Sequence, residues 1–122
     1  MNSTLRGTRL LVVEDDAIIS MMIEAFLAKL GCEVAAVAVS LQDALLKATT
    51  LVIDVAVLDV NLNGEMSYPA AEALKARKIP FLFATSYGVK ELPTSLVGVP
   101  VLPKPFGMQQ LAVALRLAME SV

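Results

Sequence analysis

Five short apolar runs, separated by segments of helical character, constrain this chain more than any other feature. They fall at Arg9–Glu14, Glu33–Val39, Val55–Leu58, Phe81–Ala84 and Val99–Leu102. None keeps the strict polar/apolar alternation of a strand with one wet face, so each reads as a strand buried on both sides. Such strands need helices on both faces of their sheet. The spacing predicts helices over Ala17–Leu30, from a Ser40 cap through about Thr49, over Pro69–Arg77 and over Met108–Met119. Gly31 stands where a first helix would stop. Asp43 takes the acid position of a capping box begun by Ser40, and Asn61–Gly64 is turn chemistry. The first helix should bury Ile18, Met22, Ala25, Phe26 and Leu30, and the last should bury Leu111, Leu115 and Ala118. The expected class is α/β: a flavodoxin-like doubly wound parallel sheet of five strands, order 2-1-3-4-5, with helices on both faces.

Composition narrows the function classes. The 122 residues suit one domain spanning 1–122, with residues 1–8 expected to lie loose ahead of the first strand. Apolar residues make up 57% of the chain, yet no uncharged stretch approaches the ~18 residues of a membrane span. The start, MNSTLRGTR, has neither the apolar core nor the cleavage site of a secretory signal. Cys32 is the single cysteine, which excludes an internal disulfide and fits a reducing cytoplasm; it is expected as a small buried hydrophobe. A net charge of -2 without a basic run gives no reason to expect a nucleic-acid partner. There is no histidine, so histidine catalysis, the usual zinc sites and a histidine phosphocarrier are all removed. A cytoplasmic monomer with no membrane or nucleic-acid partner is the expectation. Met21, Met22 and Met119 are expected as filler in the core or a groove, Asp54 as a strand start that binds nothing, and Tyr68 as a helix start without chemistry.

The first and third strands are neighbours in a 2-1-3-4-5 sheet, and ligands sit beyond their carboxyl ends. The first strand ends at Glu14 and Asp15, the third at Asp59, so three carboxylates converge on one crevice. Carboxylates crowded in this way repel one another unless a positive charge joins them. With no histidine and no usable cysteine the ligands are oxygens, which points to Mg2+ or Mn2+. Asp16 is better placed as the cap of the first helix, where an acid suits the dipole. Lys104, held between Pro103 and Pro105 after a buried strand, is expected to be aimed rather than loose in solvent. Thr85, at a strand end, is uninformative alone.

Four stretches in order, LLVVEDD at 10–16, AVLDVNLNG at 56–64, PFLFATSYG at 80–88 and PVLPKPFG at 100–107, resemble the receiver domain of bacterial two-component response regulators. The FATS of the third further resembles the FAT GUY branch, whose members are typically stand-alone receivers. The resemblance implies that Asp59 is the phosphoacceptor and that Glu14 and Asp15 form the acid pair, with Asp15 the closer Mg2+ ligand. It implies a backbone carbonyl of Asn61 on the metal, Thr85 as the hydroxyl residue, and Lys104 as the lysine that precedes a cis Pro105. A sensor histidine kinase or phosphotransfer protein would donate the phosphoryl group. The chain would then signal by protein contact or serve as a phosphate sink, catalysing only its own phosphorylation and dephosphorylation.

Several positions depart from the family's pattern. Val101 replaces the aromatic residue whose ring ordinarily swings inward, and Asn63 stands where proline is common. The interval from Asp59 to Thr85 is short. Ser86–Gly98, which should hold a helix, contains Gly88, Pro93 and Gly98, so it is expected to be weakly held, with Tyr87 an exposed loop residue. The alternatives are a receiver excised from a longer regulator or hybrid kinase, and a flavodoxin-like module for small ligands. The flavin or nucleotide version of that module lacks its Gly- or Ser/Thr-rich loop after the first strand. A haloacid-dehalogenase-type phosphatase would need a second aspartate where Asn61 stands. A pseudo-receiver should have lost an acid or the lysine.

Overall fold

The computed structural model describes residues 5–86 and 92–120. Five parallel strands form the main sheet: β1 (Arg9–Val13), β2 (Glu33–Ala38), β3 (Val55–Asp59), β6 (Phe81–Thr85) and β7 (Val101–Pro103). Their spatial order is β2-β1-β3-β6-β7, the doubly wound order expected. Between β3 and β6 lies a hairpin of two-residue strands, β4 (Asn61–Leu62) and β5 (Glu65–Met66). The helices are α1 (Ala17–Lys29), α2 (Leu41–Thr50), α3 (Tyr68–Ala76) and α4 (Met108–Glu120).

Period-two alternation sorts each strand between two cores. On one side Leu10 and Val12 of β1, Val57 and Leu82 pack on Ile23 and Leu27 of α1 and on Leu111 and Leu115 of α4. On the other, Leu11, Val13, Leu58 and Phe83 meet Ala44 and Ala48 of α2 and Ala70 and Leu74 of α3. Each large side chain so enclosed contributes roughly 1.5–3 kcal/mol from burial. The alanines on α2 and α3 let those helices lie close to the sheet. Ile53, Leu62 and Leu96 complete the second core.

Caps follow the local sequence. Asp16 accepts hydrogen bonds at Oδ1 from the N–H groups of Ile18 (2.9 Å) and Ile19 (3.2 Å), which makes it the N-cap of α1. The Ser40 hydroxyl accepts from the Asp43 N–H (3.1 Å). Asp43 does not close the capping box; its carboxylate accepts from Lys47 at 2.6 Å, one turn on. Gly31 has a φ of 83°, as the stop of α1 requires. Asn63 and Gly64, at φ 53° and 94°, form the two central positions of the hairpin turn, which a type I′ connection demands.

Further expectations need correction. Ile18 and Ala25 of α1 are exposed, Ile18 at 79%; the buried positions are Ser20, Ile23 and Leu27, with Met22, Phe26 and Leu30 on the flank. AIISMMIEAFLAK is apolar almost all round, so periodicity alone selects no unique face. Met21 is likewise exposed, while Met22 and Met119 pack against the core as expected. Asp54 has a partner: Oδ2 accepts from the Arg9 N–H (2.8 Å) and its own N–H donates to the Arg9 carbonyl (2.8 Å), which fastens the start of β1. The last strand begins at Val101 rather than Val99, since Pro100 has no N–H for the ladder.

Leu5 is buried, and the Gly7 N–H donates to the Gly31 carbonyl (2.8 Å), so residues 5–8 lie on the fold rather than loose ahead of it. Cys32 is a half-buried free thiol packed against the first core. The described part of the 86–98 interval holds a single 3-10 turn, Thr94–Leu96. Tyr87 and the stretch through residue 91 lie outside the described residues, so the weakness expected there is untouched.

A carboxylate crevice at the carboxyl end of the sheet

Parallel strands of similar register end together. β1 and β3 pair from Leu10↔Val55 to Val13↔Leu58, which brings Glu14, next after β1, beside Asp59, the last residue of β3. Glu14, Asp15 and Asp59 each place a carboxylate oxygen within 4.8 Å of the others. Glu14 and Asp59 are buried and Asp15 is half-buried. The Glu14 N–H is satisfied by the Ala38 carbonyl of β2 (3.0 Å), which fixes where its side chain starts.

Lys104 is the cation that meets these acids. Its Nζ donates to Glu14 Oε1 at 2.6 Å and lies 3.4 Å from Asp59 Oδ2, with only 7% of the side chain exposed. The Lys104 N–H donates to the Thr85 carbonyl (2.8 Å), and the Lys104–Pro105 peptide is cis. Thr85 closes β6 and is buried; β3 pairs with β6 through Asp59↔Ala84, so Thr85 sits one residue beyond the strand partner of Asp59. Thus Glu14, Asp15, Asp59 and Lys104 come together as the sequence suggested, with Thr85 at the same sheet end.

Burial pushes the Glu14 carboxyl up from 4.5 to about 7, and the neighbouring Asp59 charge adds to the rise. The hydrogen bonds from Lys104 and from the Asp16 N–H (3.1 Å) oppose it without cancelling it. The buried ion pair therefore does not restore the acidity of a solvated glutamate: desolvation outweighs the attraction.

Asn61 is exposed just past Asp59. Its backbone N–H donates to Asp59 Oδ1 (3.3 Å), and its side-chain Oδ1 accepts from the Gly64 N–H (2.6 Å), so the carboxamide closes the hairpin turn while the backbone reaches the acid. Three carboxylates close together are the donor set of a hard divalent cation, and the crevice offers no softer ligand among the described residues. The acid cluster fits Mg2+ on that ground.

Two neighbours were not legible beforehand. Ser67 starts α3, donates its N–H to the Val60 carbonyl (2.8 Å) and buries a hydroxyl that has no hydrogen-bond partner among the described residues. Tyr68 lays its ring edge-on against Phe83, with ring centres 5.8 Å apart. Nothing in SYP marked either contact. They arise because the hairpin returns α3 to the strand that carries Thr85.

A doubly wound sheet with an acid cluster and a buried lysine at its carboxyl end defines a narrow class of protein, and comparison with known families places the chain in it. The family described as the response regulator receiver domain matches residues 10–116, and the protein belongs to that family. Phosphorylation of an aspartate and Mg2+ binding through acidic residues are general to it. Among solved structures, SdrG from Sphingomonas melonis Fr1 is 42% identical, with a TM-score of 0.82, covering 93% of this chain and 97% of that one. The BeF3-activated conformation of SdrG, from Pseudomonas melonis Fr1, is 39% identical over 95% of this chain and 99% of that one, with a TM-score of 0.78. The response regulator PhyR from Brucella abortus is 27% identical over 94% of this chain but 49% of its own, with a TM-score of 0.78. No curated protein matches the chain. Among the described residues, no helix is long and apolar enough to cross a membrane.

Proposed function

We propose that this protein takes a phosphoryl group on Asp59 from a phosphohistidine of a sensor histidine kinase or phosphotransfer protein. The observation that carries the reading is the meeting of Glu14, Asp15 and Asp59 within 4.8 Å, with the Lys104 ammonium between two of them. An Asp59 oxygen attacks phosphorus, the O–P bond forms, the P–N bond breaks, and the electron pair leaves with the donor imidazole. Charge spreads over the phosphoryl oxygens in such a transfer, so positioning and neutralisation supply most of the help. Asp59 lies at the tip of a fully buried strand, which holds its carboxylate in place. Lys104 is in reach of Asp59 and would neutralise one phosphoryl oxygen, and the Thr85 hydroxyl would hydrogen-bond another. Asp15, Asp59 and the Asn61 carbonyl would hold Mg2+, with Glu14 behind them, and the bound ion would offset charge on the phosphoryl group.

The output is a protein partner that reads the phosphorylated form, or drainage of phosphoryl groups from a shared kinase, in the cytoplasm. Val101 occupies the place of the usual switching ring and is 38% exposed, so the readout does not use an aromatic there. The test is phosphorylation by acetyl phosphate with Mg2+, followed by intact-mass spectrometry of wild type and Asp59→Asn. A phosphorylated species is expected in the wild type and none in the variant; equal peaks would defeat the assignment.

A further inference from the structure

A second concavity lies at the opposite, amino end of the sheet, far along the fold from the carboxylate crevice. It has a volume of about 530 Å3 and opens between the end of α3, the start of β6 and the 3-10 turn that precedes β7. Ile79, Phe81 and Val99 line it, all three continuous with the second core. Its volume falls within the range of small-molecule sites.

Two lysines, Lys75 and Lys78, are among the residues that line it. Lys75, in the last turn of α3, donates to the Ser95 carbonyl across the opening. Lys78 is exposed, and at φ 61° it holds the left-handed position after the helix where glycine is the usual choice. Neither lysine has a carboxylate partner within 4.0 Å among the described residues. Glu72, the acid of the same helix, is turned onto the Ser95 hydroxyl.

We propose that this cavity binds a small apolar monocarboxylate, with its hydrocarbon body against Phe81 and Val99 and its carboxylate at Lys78 and Lys75. The apolar wall asks for a hydrophobic body, and two lysines without a carboxylate partner among the described residues ask for one anionic end. Neither inorganic anions nor neutral alcohols meet both demands.

The test is titration of the 15N-labelled full chain, followed by NMR, with sodium octanoate, 1-octanol and inorganic phosphate. Octanoate should give saturable shifts centred on Ile79, Phe81, Ser95 and Val99. Octanol should bind at least about tenfold more weakly, and phosphate should produce no saturable shift at these positions. Lys78→Glu, an exposed change that leaves both cores intact, should weaken octanoate by about tenfold or more while Asp59 and its neighbours keep their resonances. Equal binding of octanol, saturation by phosphate, shifts spread over the surface, or an unchanged affinity in Lys78→Glu would each overturn the proposal.

Discussion

Glu14 shows how burial sets the behaviour of a single side chain. The folded protein holds its proton up to about pH 7, whereas the unfolded chain releases it near 4.5. Between those values the native state binds more protons, so this group's contribution to stability declines as pH rises through the window and is flat on either side. At about 1.4 kcal/mol per pH unit the full decline is on the order of 3 kcal/mol. In buffer free of divalent cations, the stability of wild type relative to Glu14→Gln should therefore fall between pH 4.5 and 7, as read by urea melts at each pH. Parallel curves for the two proteins would contradict the burial account. The neighbouring acids separate by a different measurement. Asp15→Ala should abolish Mg2+ binding in calorimetry, because its carboxylate belongs to the crevice. Asp16→Ala should keep Mg2+ affinity and lose about 0.5–2 kcal/mol of stability with the α1 cap. Equal loss of affinity in both would mean that the wrong carboxylate has been placed in the crevice.

At the scale of elements, α1 is where local pattern and packing part company. Its sequence is apolar at nearly every position, and the sheet selects Ile23 and Leu27 while leaving Ile18 outside. Ile23→Ala and Leu27→Ala should each cost about 2–5 kcal/mol, because each opens a cavity in the core. Ile18→Ala should stay within about 0.5 kcal/mol. Chemical denaturation of the three variants decides the register, and a large loss at Ile18 with little at Ile23 would restore the face expected from periodicity. α4 gave no such ambiguity. Gln109, Gln110, Arg116 and Glu120 mark its polar side, and Leu111, Leu115 and Ala118 are all buried as expected.

At the scale of the whole molecule, the crevice joins residues from three separate strand ends, so a ligand held there should tie the sheet together. A cation that binds only the folded state stabilises by about 2.7 kcal/mol at a concentration one hundred times its dissociation constant. Adding Mg2+ should accordingly raise the thermal midpoint of wild type by several degrees and leave Asp15→Ala and Asp59→Asn much less affected. A rise of the same size in all three, followed by circular dichroism, would place the effect in bulk salt rather than in the crevice.

The sequence by itself determined the sheet order, the helices, the Asp16 and Ser40 caps, and the three carboxylates that meet in the crevice, while the family resemblance added Lys104. Those signals are local: apolar runs, a serine and an aspartate at helix starts, a glycine at a helix stop, acids at strand ends. The parallel order then carries Glu14 and Asp59 side by side without further information. Only the tertiary structure decided which face of α1 is buried, that Asp54 is bonded to Arg9, that Tyr68 rests on Phe83, and that a cavity opens at the amino end of the sheet. Each depends on contacts between elements distant in sequence. Their energies come from the fit of one surface against another, which no periodicity within a single segment records.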